Sequence, residues 1–162
     1  MKLLVKLIAS GFGAGYSPIA PGTVGSIWGV VMYILLYRYP SVFVLSTVIL
    51  FVIGFMVSGR AEGLFAEKDS RKIVIDEIAS MCLVFMFIKP DWLMLAAGFL
   101  VFRFFDIIKP APARRVERFS GGKAVMFDDI IAAIYTILIL FALSKLQAEG
   151  ILPVMNIQGL AG

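Results

Sequence analysis

The sequence predicts an all-α fold: a small polytopic membrane bundle of about four to five spanning or partly immersed helices, forming one domain over residues 1–162. Three observations carry that expectation. Hydrophobic residues make up 60% of the chain against 16% charged, and mean hydropathy is +0.96, far from the balance of a soluble domain. The apolar residues fall in runs closed by prolines and short polar segments. The basic residues collect at the ends of those runs, where they meet anionic lipid headgroups, rather than on a polar face interleaved with exposed aromatics. The net charge of +4 therefore indicates a membrane surface, and no nucleic-acid partner is expected.

Residues 3–9 suit a short amphipathic or re-entrant helix. Lys6 interrupts the apolar run and no Ala-x-Ala type site follows, so this N-terminal segment is expected to be retained. Gly11, Gly13 and Gly15 loosen the backbone ahead of a loop, Ser17 to Thr23, with Thr23 as a plausible N-cap. Their G-x-G-x-G spacing, with no strand-like run before it, does not match a dinucleotide fingerprint. Val24 to Tyr39 is the first span, closed by Pro40, and Gly25 and Gly29 form a small-xxx-small pair for close helix packing. Val42 to Val57 is the second. Ser58 to Lys72 reads as a polar, partly helical aqueous connector. Ile73 to Ile88 is the third span, with Asp76 and Glu77 in its first turn and Lys89-Pro90-Asp91 closing it; Trp92 sits at the interface. Leu93 to Ile108 is the fourth, Lys109 to Lys123 a basic loop, and Ala124 to Leu146 the fifth, followed by a loosely ordered tail. Several runs fall short of the roughly 20 residues a perpendicular helix needs.

The chain has no histidine and one cysteine, Cys82, inside an apolar run. Histidine-phosphate chemistry, Ser/His triads and thiolate metal sites are thereby excluded, and Cys82 is expected to be a small buried hydrophobe. Catalysis, if present, must run on carboxylates and metal. The positive-inside rule places the heavily basic 58–72 and 109–123 segments in the cytoplasm. With that alternation the Ser17 loop, the start of span three, the end of span four and the start of span five share one face, which brings Asp76, Glu77, Asp106, Asp128 and Asp129 to one membrane level. Five carboxylates at one depth repel unless cations neutralise them, and an all-oxygen donor set suits magnesium. Plainer roles exist for single residues: Arg103 and Asp106 are spaced i,i+3 and can neutralise each other, and first-turn acids favour the helix dipole. Two acidic doublets against apolar runs favour function for the set, because neighbouring helix positions point about 100° apart and one charge of each pair faces the interior. The 109–123 loop, Arg114 included, suits an anionic-lipid anchor and equally a phosphate seat.

Four blocks, GFGAGYSPIAPGTVGS, IVIDEIASM, GFLVFRFFDIIKPAP and GGKAVMFDDIIAAI, resemble the phosphatidylglycerophosphatase A family in consistent order over most of the chain. The resemblance implies a magnesium-dependent membrane enzyme of the cytoplasmic (inner) membrane. It would release the terminal phosphate of phosphatidylglycerophosphate, leaving phosphatidylglycerol. On that reading Glu77, Asp106, Asp128 and Asp129 are metal ligands, Asp76 is a ligand or base, Arg103 and Lys109 neutralise developing charge, and Ser17, Thr23 and Arg114 bind substrate phosphate. An aspartyl-phosphate route ranks second, for want of a D-x-D-x-T context. The alternative class is a small magnesium transporter or channel using the same acids, against which stand the missing repeat and the clustering at one face. A headgroup phosphotransferase is a second alternative, but its D-x-x-D-G-x-x-A-R run is missing.

Overall fold

The computed structural model describes residues 1–67, 70–89, 91–113, 122–155 and 157, with the side chains of 122 and 123 left out. Among the described residues there are six α-helices and no strand: α1 Lys2–Ala9, α2 Pro21–Leu36, α3 Pro40–Phe65, α4 Ile75–Met86, α5 Trp92–Ile108 and α6 Gly122–Ala148, with a 3-10 turn over Ala14–Tyr16.

The bundle is built around α4. Nine of its twelve residues are buried, on every side of the helix, which marks it as an internal element. It packs against α2, α3, α5 and α6. At 1.5 Å per residue it is about 18 Å long, well short of a bilayer core of about 30 Å. The third apolar run is therefore a core helix held inside the bundle. Among the described residues, only α3 and α6 are long and apolar enough to cross a membrane. On α3 the exposed large residues are Val42, Val44, Leu45, Val48, Ile49, Val52 and Met56, and on α6 Phe127, Ile134, Leu138, Ile139 and Phe141. Both sets recur at helical spacing, as lipid-facing stripes do.

Lipid tails are as apolar as leucine, so helices in a membrane associate through close packing rather than burial from water. Glycines provide it here. A Cβ on Gly25 would lie 2.9 Å from Val74 Cβ, and one on Gly29 would lie 2.6 Å from Met81 Cβ, so the small-xxx-small pair is the seam between α2 and α4. Gly98 faces Phe85 and Leu140 in the same manner, bringing α5 against α4 and α6. Cys82 is fully buried in this core, as expected of a small hydrophobe.

Three local expectations are corrected. Helix α3 runs eight residues past Val57 because Ser58 and Ala61 continue its buried face, so the connector to α4 begins only at Ala66. Thr23 does not cap α2: Ala20, in the left-handed region at φ 47°, is the N-cap, Pro21 opens the helix, and Thr23 donates its backbone N–H to Ala20 within the first turn. The described part of the tail is docked, not loose, at Met155 and Ile157. Asp91 is buried, caps α5 through Met94 N (3.0 Å) and accepts from Met155 N (2.6 Å), while Ile157 enters the core.

The glycine seam makes a clean test. Gly29→Ala should lower the apparent melting temperature in detergent, with overpacking costing about 1–3 kcal/mol. Gly63→Ala, on α3 where an added Cβ meets nothing within 4 Å, should hold or raise it, because alanine is the better helix former by about 0.5–1 kcal/mol.

Candidate active site

One end of the bundle collects the N-termini of α2, α4 and α6 and the C-terminus of α5. The up-and-down order of short-linked helices brings them there. From α4 come Asp76 and Glu77, and from α6 Asp129. Each offers a carboxylate oxygen, and these atoms all lie within 4.8 Å of one another. Asp76 and Asp129 are each only 4% exposed. Asp76 Oδ1, Glu77 Oε2 and Asp129 Oδ2 are buried with no hydrogen-bond partner among the described residues. Asp106, near the end of α5, is within electrostatic reach of all three.

Two cations border this cluster. Arg103 Nη1 pairs with Asp106 Oδ2 at 2.6 Å and reaches Ser26 Oγ at 3.4 Å; Ser26 in turn donates to the Gly22 carbonyl. The Arg103 Nε is buried without a partner among the described residues, so the guanidinium keeps donor capacity for an anion. Lys109 ends α5 in the left-handed region and its Nζ lies 3.4 Å from Asp128 Oδ2. The adjacent acids of α6 thus part company: Asp129 joins the cluster and Asp128 meets the lysine. That split follows from the 100° step between helix neighbours.

Above the cluster is an open cleft of about 720 Å³, lined among others by Ser17, Gly22, Glu77, Arg103, Asp106 and Lys109. Gly22 is required at its wall, because a Cβ there would run into the Glu77 carboxylate and lie 3.2 Å from Arg103 Nη1. With hydrogen at that position the first turn of α2 lies directly against the Glu77 carboxylate; a Cβ would displace it.

Of the residues singled out in the sequence, Asp76, Glu77, Asp106 and Asp129 come together, with Arg103 and Lys109 beside them and Ser17 on the cleft wall. Asp128 stands apart with Lys109. Thr23 sits in the first turn of α2 and is not among the cleft-lining residues. Arg114 lies outside the described residues. Sequence reasoning passed over Arg71 and Lys72, which also line the cleft, and Ser26, which steadies Arg103. The two cations were legible only as connector charge, although they stand immediately before the acid-bearing block.

An oxygen-only donor set with unsatisfied buried oxygens can hold a hard divalent cation. Carboxylates able to seat such a cation, cations able to draw in a phosphate, and an apolar bundle around both are the features a membrane-embedded lipid phosphatase requires. Comparison with known proteins gives the family. A family model described as Phosphatidylglycerophosphatase A matches residues 7–144. A Haemophilus influenzae phosphatidylglycerophosphatase A is 35% identical over 143 residues, covering 86% of this chain and 88% of that protein. An Escherichia coli phosphatidylglycerophosphatase A is 35% identical over 149 residues, covering 90% and 87%. A Bacteroides thetaiotaomicron protein with the provisional name phosphatidylinositol-3-phosphatase is 37% identical over 149 residues, covering 86% and 92%. No solved structure matches the chain. The chain belongs to the phosphatidylglycerophosphatase A family and is an enzyme.

The cluster predicts opposite effects on stability and on metal binding. Asp129→Asn removes one buried like charge, so the metal-free protein should melt higher than the parent. The same change removes a ligand, so the rise in melting temperature produced by a divalent cation in the parent should shrink or vanish. Unchanged stabilisation by the cation would show that Asp129 is not a ligand.

Proposed function

We propose that this protein hydrolyses the terminal phosphomonoester of phosphatidylglycerophosphate to phosphatidylglycerol and inorganic phosphate, with magnesium, at the cytoplasmic face of the inner membrane. The observation that carries the proposal is the cluster of Asp76, Glu77 and Asp129 opening, through Glu77 and Asp106, into a cleft that also presents cations. Two relatives are named for this activity, and the family description agrees.

Asp76, Glu77 and Asp129, with Asp106 beside them, would hold the magnesium. When bound, it supplies positive charge to the phosphate oxygens and lowers the barrier to attack by water. The chain's own residues do the rest. Arg103, fixed by Asp106 and Ser26, presents its free Nε to the phosphate, and Lys109 adds a second positive charge. The loop through Ser17 closes the other wall and keeps the headgroup at the level of the acids. A phosphomonoester offers three oxygens and up to two charges to this site, a phosphodiester two oxygens and one. The product phosphatidylglycerol is therefore a poor substrate.

Orientation follows the basic residues. With the segments around the cleft on the cytoplasmic side and Lys89 on the other, the positive-inside rule is obeyed.

Purified in detergent, the protein should release phosphate from phosphatidylglycerophosphate with magnesium, stop in chelator, and leave phosphatidylglycerol intact. Phosphatidylinositol 3-phosphate, assayed beside it, tests the substrate in the Bacteroides protein's name; faster turnover of that lipid would replace the proposed substrate. Magnesium flux into proteoliposomes with no hydrolysis of either lipid would remove the phosphatase reading.

Sidedness has its own test. In a Cys82→Ser background, a membrane-impermeant thiol reagent added to intact cells should label Lys89→Cys and spare Glu67→Cys. The reverse pattern would invert the orientation.

A further inference from the structure

The cleft holds more positive charge than a single phosphate needs, and the surplus is distributed unevenly. Arg103 and Lys109 are each paired with an acid of α5 or α6. Arg71 and Lys72 line the same cleft, come from the connector before α4, and among the described residues are paired with no carboxylate. Both are exposed, yet the segment that carries them is held. Val74 N donates to Ala9 O at 2.9 Å and Ile73 N to Ser70 O at 2.8 Å. Gly15 packs so closely on the Lys72 carbonyl that a side chain there would collide with it. The Lys72 ammonium stands 5.6 Å from the centre of the Phe65 ring, which also meets the edge of Tyr16 at 6.3 Å. Two cations with no carboxylate partner among the described residues, on an anchored backbone at the wall of the cleft that Arg103 and Lys109 also line, are placed to receive a second anion.

We propose that Arg71 and Lys72 bind the internal phosphodiester of the lipid substrate while the terminal phosphate occupies the acid cluster. This inference rests on the phosphatase reading above and adds to it the source of headgroup selectivity. Phosphatidylglycerophosphate carries two phosphates one glycerol apart: a terminal monoester and the diester that joins the headgroup to diacylglycerol. Phosphatidate has the monoester alone. A cleft with one anion site would accept both lipids equally. A cleft with two prefers the lipid that fills both, because the second contact adds binding energy that phosphatidate cannot supply. The contact is made equally in the ground and transition states of the distant bond, so it is read in KM rather than kcat.

The test is steady-state kinetics in neutral-detergent micelles with magnesium, comparing the parent, Arg71→Gln/Lys72→Gln and the charge-keeping Arg71→Lys/Lys72→Arg. With phosphatidylglycerophosphate the glutamine variant should show KM raised about tenfold, the loss of a charge-assisted contact, with kcat within about twofold. The charge-keeping variant should stay near the parent. Phosphatidate kinetics, or its inhibition constant as a competitor where turnover is slow, should be the same in all three proteins. An equal KM rise for both lipids would mean a general attraction to anionic surfaces and would overturn the proposal, as would no change for either. A parent protein that releases no phosphate from phosphatidylglycerophosphate would instead remove the activity reading on which the proposal rests, a result separable from the other two.

Discussion

Buried Asp76 and Asp129 and half-buried Glu77 bring carboxylate oxygens within 4.8 Å of one another, and the rest of the structure answers to that constraint. Two unit charges at such a separation repel by about 3 kcal/mol even at an effective dielectric near 20, and desolvating each costs several more. Three pairs approach the whole stability of a typical domain, about 5–15 kcal/mol. The arrangement persists only when positive charge, as bound protons or a cation, offsets it. Arg103 and Lys109 provide part of it, but they pair with Asp106 and Asp128, leaving the three inner carboxylates to a cation that the cluster itself can hold.

Positioning such a cluster in a membrane requires a helix that lipid never touches. Helix α4 meets the requirement by being short and buried on all sides, while α3 and α6 provide the lipid-facing length. The glycines of α2 let it lie against α4 almost backbone to backbone, and the same close approach brings the first turn of α2, at Gly22, down to Glu77. One packing device thus serves both the fold and the site. Apolar helices on the outside keep a lipid substrate's acyl chains in the bilayer, which leaves its headgroup at the level of the cleft.

The acids were legible in the sequence because charge in an apolar run is costly and therefore informative; Asp76, Glu77, Asp106 and Asp129 were all found that way. Helix order and the shared face followed from alternation of short-linked runs. What was not legible depended on contacts between distant segments. Nothing local distinguishes Asp128 from Asp129 until Lys109 is seen beside one of them. Asp91 can cap α5 locally, but its second carboxylate oxygen is satisfied only because the tail returns to it and Met155 N donates to Oδ2. The extension of α3 past Val57 is driven by burial of Ser58 and Ala61, which polar composition conceals. Arg71 and Lys72 read as ordinary connector charge until the Gly15 loop folds over them.

On the proposed function, Asp76, Glu77 and Asp129 hold the metal that activity needs. Crystals of the active protein grown with manganese in place of magnesium, measured at a wavelength where manganese scatters anomalously, test it directly. The account predicts an anomalous peak bounded by Asp76, Glu77 and Asp129. A manganese-active protein whose only peak lies away from these side chains would contradict it.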